Sequence, residues 1–232
     1  MKVGLIGVGR MGQVLAARLA PLHQLYVYDR NLDLAEAVAA QTGAVAVKDL
    51  AELVTTETII LAVPDREVLS LIKEFNNLGQ PVAIINIATN VAQPALEAAA
   101  ASHVRCLGAK IVGQAGEMAQ GSEPVIIINH TPLSMVPLAQ ELFAAVGKIV
   151  VGRADMVIDI NTLAVKYALE AAVRLETELE NIGLKDRAVI NSAIRQVAAG
   201  TLKAYADNNL GPFARDIIRA IRARLQDRGR QN

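Results

Sequence analysis

The sequence holds one cysteine, Cys106, and no tryptophan. With a single thiol no disulfide forms within the chain, and a cysteine-rich zinc site is excluded. Aromatic residues make up only 3% of the chain, so its core must be built from Ala, Val, Ile and Leu. Buried parallel strands and the helices that cover them use that mixture. Net charge is missing as well, since 23 Lys and Arg balance 23 Asp and Glu. Without a positive field the chain lacks the electrostatics of a nucleic-acid binder. Apolar stretches such as Ile59 to Pro64 fall far short of the ~20 residues that span a bilayer. A first strand starting at Lys2 leaves no room for a signal peptide, so a cytoplasmic protein with no membrane partner is expected. His23, His103 and His130 lie far apart, no His, Cys and acid cluster has ligand spacing, and no metal is expected.

What is present is a hydrophobic content of 53% in 232 residues. That suits one large domain, or a nucleotide-binding domain with a compact appendage. Up to residue 152 strands and helices alternate. Strands are expected at Lys2 to Ile6, Gln24 to Tyr28, Val45 to Val47, Thr58 to Val63, Pro81 to Ile87, His103 to Leu107, Pro124 to Ile128 and Lys148 to Val151. Helices are expected between them at Met11 to Leu19, Leu32 to Gln41, Glu67 to Phe75, Gln93 to Ala101 and Leu133 to Val146. The strands are continuous apolar runs, as in a sheet covered on both faces.

From residue 153 the pattern turns helical. Asp155 to Ile182 contains neither Gly nor Pro, and a helix filling it is roughly 40 Å long at ~1.5 Å per residue. Arg187 to Ala199, closed by Gly200, and Pro212 to Leu225 follow as shorter helices. The expected domains are therefore 1–152 and 153–232. Asp155 and Asp159 read as first-turn acids on the long helix. The basic run Arg219, Arg222, Arg224, Arg228 and Arg230 reads as a solvated helix end.

Gly7, Val8, Gly9, Arg10, Met11 and Gly12 leave the first strand and open the first helix. Gly7 permits the tight turn, Gly9 lets backbone approach a pyrophosphate, and Gly12 lets helix and strand pack closely. Amides at the helix start would face the phosphates. Asp29, which ends the second strand 22 residues after Gly7, would accept hydrogen bonds from an adenosine ribose. This combination specifies an α/β fold of the Rossmann type, doubly wound with a mainly parallel sheet, followed by a small all-helical domain. Asp29 favours NAD, whereas Arg30 could stack on adenine or pair with the 2′-phosphate of NADP. Ala62, Val63 and Pro64 end the fourth strand beside the expected crevice. Thr89 and Asn90, after the fifth, read either as helix caps or as nicotinamide-side contacts.

Lys166 and Glu170, four apart, share a helix face. They are an exposed pair, or a proton-donating lysine with a carboxylate that orients it. Asn161, one turn earlier, could complete a pocket or cap a helix. Lys110 and Gln114 flank an expected loop at the sheet edge, where with Gly113 they could hold a substrate anion.

The glycine loop, the run Val27 to Asn31, the segment Asn86 to Thr89 with Pro94, and the run Gly108 to Gly113 with Gly116 and Gly121 together resemble the beta-hydroxyacid dehydrogenase family. That group includes 3-hydroxyisobutyrate and 6-phosphogluconate dehydrogenases. Lys166 matches the family's catalytic lysine in approximate position. The resemblance implies an acid/base lysine beside a nicotinamide, a small-molecule substrate held between the domains, and a homodimer. Two departures stand out. Ile111 to Gln114 replaces the family's Ser and two glycines, and Glu170 replaces its Asn. In length the chain also looks like pyrroline-5-carboxylate reductases and deazaflavin-dependent NADP reductases. Hydride transfer to a carbonyl, alcohol or imine is the leading expectation. Deazaflavin-dependent NADP reduction and non-catalytic NAD(P) sensing stay open beside it. Leu163, Tyr167, Val173, Leu202 and Phe213 are candidate buried or interface residues.

Overall fold

The computed structural model describes residues 1–229, so Arg230 of the basic run lies outside the described residues. The chain runs β1 (Lys2–Ile6), α1 (Arg10–Leu19), β2 (Gln24–Tyr28), α2 (Leu32–Thr42), β3 (Val45–Ala46), β4 (Thr58–Leu61), α3 (Asp65–Leu78), β5 (Val82–Asn86), α4 (Gln93–Ala99) and β6 (Val104–Val112). It continues through α5 (Ala115–Ala119), β7 (Val125–Asn129), α6 (Val136–Phe143) and β8 (Lys148–Gly152). Four helices close it: α7 (Val157–Asn181), α8 (Arg187–Ser192), α9 (Ala199–Ala206) and α10 (Pro212–Gly229). Eight strands form one sheet in the order β3-β2-β1-β4-β5-β6-β7-β8. Every neighbouring pair is parallel except β6 and β7.

Successive residues of a strand point to opposite faces, and the core divides accordingly. Val3, Leu5, Ile60 and Ile85 join one buried cluster with Leu15 of α1, Val38 of α2 and Phe143 of α6. Ile6, Ile59, Leu61 and Ile84 join the other, with Ile72 and Phe75 of α3 and Leu96 of α4. Each such side chain contributes ~1.5–3 kcal/mol on burial. Asn31 caps α2 by accepting from the Leu34 amide at 3.3 Å, and Gly43 ends it in the left-handed region.

Two compact units emerge, Met1–Leu163 and Ala164–Asn232, dividing inside α7. Two local expectations need correction. β6 does not stop at Leu107 but continues to Val112, and the short helix α5 follows it. Gly200 does not close a helix either, because it lies inside α9, which follows a wider-wound segment at Ala193–Ala198. Among the described residues no helix is long and apolar enough to cross a membrane.

Candidate functional site

The strand order reverses between β1 and β4, and the glycine loop leaves the sheet at that point. Gly7 has φ +90°, and a Cβ on it would sit 2.5 Å from the Ala62 carbonyl oxygen. A Cβ on Gly12 would come within 2.0 Å of the Gly7 carbonyl oxygen. Neither position admits a side chain. A Cβ on Gly9 would meet nothing within 4 Å, so open space lies over the start of α1. The first i−4 bond of that helix runs from the Gln13 amide to the Gly9 carbonyl at 2.9 Å. The amides just before it have no acceptor within the helix, and they carry the positive end of its dipole. This cradle fits a pyrophosphate.

Asp29 is fixed beside it. One carboxylate oxygen accepts from the Val8 amide at 2.9 Å and the other from the Asn31 amide at 3.0 Å. Lone pairs remain on both oxygens for ribose hydroxyls. Arg30 pairs with Glu67 of α3 at 3.3 Å, which engages the cation that could otherwise receive a 2′-phosphate.

Two cavities flank the ridge Ala62, Val63 and Pro64, which lines both. On one side, about 250 Å³ is bounded by Gly7, Gly9, Tyr28, Asp29, Arg30 and Glu67. On the other, about 360 Å³ is bounded by Met11, Ala88, Thr89, Ile111, Gly113 and Asn161. The first cavity carries the carboxylates of Asp29 and Glu67, and the second lies across Ala62 to Pro64 from it. Asn161 is held in place by donating from Nδ2 to the Ile111 carbonyl at 3.1 Å.

The remaining expected residues are less concentrated. Arg10 lines a separate cavity of about 520 Å³ with Gln13, Arg18, Ala115 and Gly116. Lys110 does not flank a loop. It sits within β6 with no exposed surface, and its Nζ donates to the Ala88 carbonyl and, at 3.4 Å, to that of Asn86. Burial lowers its pKa from the usual lysine range to about 8, against the attraction of Asp155 and Asp65. Gln114 is an N-cap, since its side chain accepts from the Glu117 amide at 2.8 Å at the start of α5. Lys166 is exposed on α7 in the second unit. Glu170 pairs with Arg174 at 2.6 Å and not with Lys166.

Ile87 and Ala88, expected at the end of the fifth strand, line one cavity, whereas sequence reasoning missed Asp65 and Glu67, which the first turn of α3 brings to the two cavities. It also missed a polar network behind them. Asp155, expected to serve only a helix dipole, accepts from the Gln93 amide at 3.0 Å and from Asn129 Nδ2 at 3.3 Å. The Gln93 side chain in turn donates to the Cys106 carbonyl at 3.0 Å and accepts from the Gly108 amide at 2.7 Å. A Cβ on Gly108 would lie 2.8 Å from Asn129 Nδ2, so the network needs glycine there. Burial pushes the Cys106 thiol up to about 12, helped by Glu97, which leaves it unreactive. Among the described residues no three His, Cys, Asp or Glu side chains gather as a metal site requires.

Residues 2–158 match the family model of the NAD binding domain of 6-phosphogluconate dehydrogenase. No curated protein matches in sequence. Among solved structures, a pyrroline-5-carboxylate reductase from Coxiella burnetii superposes with TM-score 0.73 at 16% identity, covering 99% of this chain and 92% of that one. An imine reductase from Myxococcus stipitatus, in complex with NADP+, gives TM-score 0.69 at 17% identity over 89% of this chain and 75% of that one. The 3-hydroxyisobutyrate dehydrogenase of Mycobacterium tuberculosis gives 0.63 at 19% over 83% and 69%. These likenesses establish a shared fold.

Proposed function

Because the chain belongs to the family of the NAD binding domain of 6-phosphogluconate dehydrogenase, we propose that it is an NAD(P)-dependent oxidoreductase acting on a small polar carbonyl, alcohol or imine. The observation that carries this reading is the pair of cavities on either side of Ala62 to Pro64, with the glycine loop opening onto one of them. A bound nicotinamide would supply or take up the hydride. The start of α1 would hold the pyrophosphate, Asp29 the adenosine ribose, and Thr89, Met11 and Asn161 the far half. Lys166 is assigned the proton transfer by its place in the family pattern, giving a proton to the substrate oxygen or nitrogen in reduction and taking one in oxidation.

NAD is favoured over NADP. Asp29 and Glu67 put two carboxylates at the adenosine-side cavity, and Arg30, which also lines it, is engaged by Glu67. The likeness to an imine reductase and a pyrroline-5-carboxylate reductase supports a carbon–nitrogen double bond as the reducible group. A homodimer is supported by apolar side chains exposed along α7 to α10, including Tyr167, Val173, Leu202 and Phe213. Sedimentation at rising concentration is expected to give twice the 24.7 kDa chain mass.

The first test is titration with NADH and with NADPH, read by nicotinamide fluorescence. Saturable binding, tighter for NADH, is expected, followed by turnover of cyclic imines or small ketones. No binding of either at millimolar concentration would overturn the cofactor reading. Binding without turnover of any carbonyl, imine or deazaflavin would leave a sensor.

A further inference from the structure

Lys110 is a lysine in the middle of a strand with no exposed surface, a placement that costs free energy unless its ammonium does something an apolar side chain could not. Its acceptors define what that is. Both the Ala88 and the Asn86 carbonyls belong to the segment that leaves β5. The same segment is held from two other directions. The Asn86 side chain accepts from the Ala88 amide at 3.0 Å and reaches the Ala88 and Val91 carbonyls at 3.4 Å. Asp65, at the start of α3, accepts from the Asn90 amide at 3.2 Å. On its other side the segment presents Ile87, Ala88 and Thr89 to the 360 Å³ cavity.

We propose that Lys110 is a positioning residue for the dinucleotide, its ammonium clamping the Asn86 to Thr89 segment as a wall of the nicotinamide-side cavity. This rests on the cofactor reading above. Lys110 does not line the cavity and touches no reacting atom; it acts through the carbonyls of Asn86 and Ala88. The charged groups around it are Asp155, ahead of α7, and Asp65, on α3. The other elements packed here offer Asn86 from β5, Asn129 from β7 and Gln93 from α4, while the α4 carboxylate, Glu97, accepts from Gln93 at 2.9 Å. The two aspartates favour the charged lysine and burial opposes it more strongly. Its proton is therefore lost near pH 8, and hydrogen bonds to the two carbonyls lose their charge assistance as it goes.

Amide hydrogen exchange in the cofactor-free protein, corrected for intrinsic rates, reads the clamp directly. In the unaltered protein, protection across residues 87–91 is expected to fall about tenfold from pH 7 to pH 9.5 while α6 keeps its own. In Lys110→Met it is expected to be low at both pH values. NADH titration of the same samples is expected to give a Kd about tenfold weaker at pH 9.5, the ratio that corresponds to ~1.4 kcal/mol. The variant is expected to bind weakly with no such step. Protection that stays constant in the unaltered protein overturns the clamp whether or not the variant folds. Loss of protection with an unchanged NADH Kd overturns the positioning role. Failure of the unaltered protein to bind NADH at pH 7 would instead sink the cofactor reading, with exchange still deciding the clamp.

Discussion

The two compact units place their apolar side chains in opposite ways. In Met1–Leu163, Ile, Leu, Val and Phe from both sheet faces are sealed beneath helices, and Phe75 and Phe143 have no exposed surface. In Ala164–Asn232, Tyr167 is 63% exposed, Val173 59%, Phe213 80% and Leu225 62%. Among the described residues Ile190 is the only apolar side chain of that unit in the buried core. The first unit is a closed cofactor module that satisfies itself. The second leaves large apolar side chains exposed on α7, α9 and α10. The same boundary separates the residues of the proposal above, since those lining the two cavities belong to the first unit and Lys166 to the second.

That division can be broken most sharply at Lys166. Lys166→Met is expected to lower kcat by about 10²–10⁴-fold, the usual worth of a positioned general acid, while the Kd for NADH stays unchanged. A weakened Kd would mean that the units do not separate in this way. Next in size, Phe75→Ala is expected to cost ~3–5 kcal/mol in urea unfolding at every protein concentration. Phe213→Ala should cost less than ~0.5 kcal/mol in dilute protein. Its cost should grow with concentration as the subunits associate. Equal losses for both phenylalanines would overturn the contrast.

Smaller effects sharpen the adenosine side. Asp29→Ala removes the ribose acceptor and releases the Val8 and Asn31 amides, so NADH affinity should fall by about 2 kcal/mol, roughly thirtyfold. Glu67→Gln is expected to leave the fold intact and to free Arg30, the exposed half of its pair with the half-buried Glu67. The ratio of NADPH to NADH affinity should then rise by about three- to tenfold, because the guanidinium can reach a 2′-phosphate. A ratio that does not move would remove Glu67 from cofactor choice.

The contrast between units also tracks what was legible in the sequence. In the first unit apolar runs and glycine punctuation point the same way, and β1, β2, β4, β5 and the loop Gly7 to Gly12 lie where pattern places them. Their signals are local. Lys110 and Asp155 were misread because their partners are distant in sequence. The lysine's acceptors lie 22 and 24 residues away, and the Gln93 amide lies 62 residues from Asp155. A cation amid Ala109 and Ile111 reads as the end of a strand unless those carbonyls are known. Glu170 has a cation four residues away on either side, Lys166 and Arg174, and only geometry shows that it pairs with Arg174. In the second unit the division inside α7 left no mark, since one unbroken helix serves both units.

The smallest effect opposes global stability to local order. The pKa of Lys110 is near the usual 10.5 when the chain is unfolded and about 8 when folded. Between those values the unfolded chain holds the extra proton, so the folded state gains stability as pH rises from 8 towards 10.5 and loses it as pH falls through 8. At ~1.4 kcal/mol per pKa unit, Lys110 should make the native protein about 1 kcal/mol more stable at pH 9 than at pH 7, relative to Lys110→Met. Over the same interval the clamp on Asn86 and Ala88 weakens, so NADH affinity should fall while unfolding free energy rises. A lysine kept only for packing would leave affinity unmoved, and one kept for global stability would move both in the same direction. Opposite movement, measured by urea titration and NADH fluorescence on one sample series, is the signature of a charge that costs the fold stability and organises its pocket.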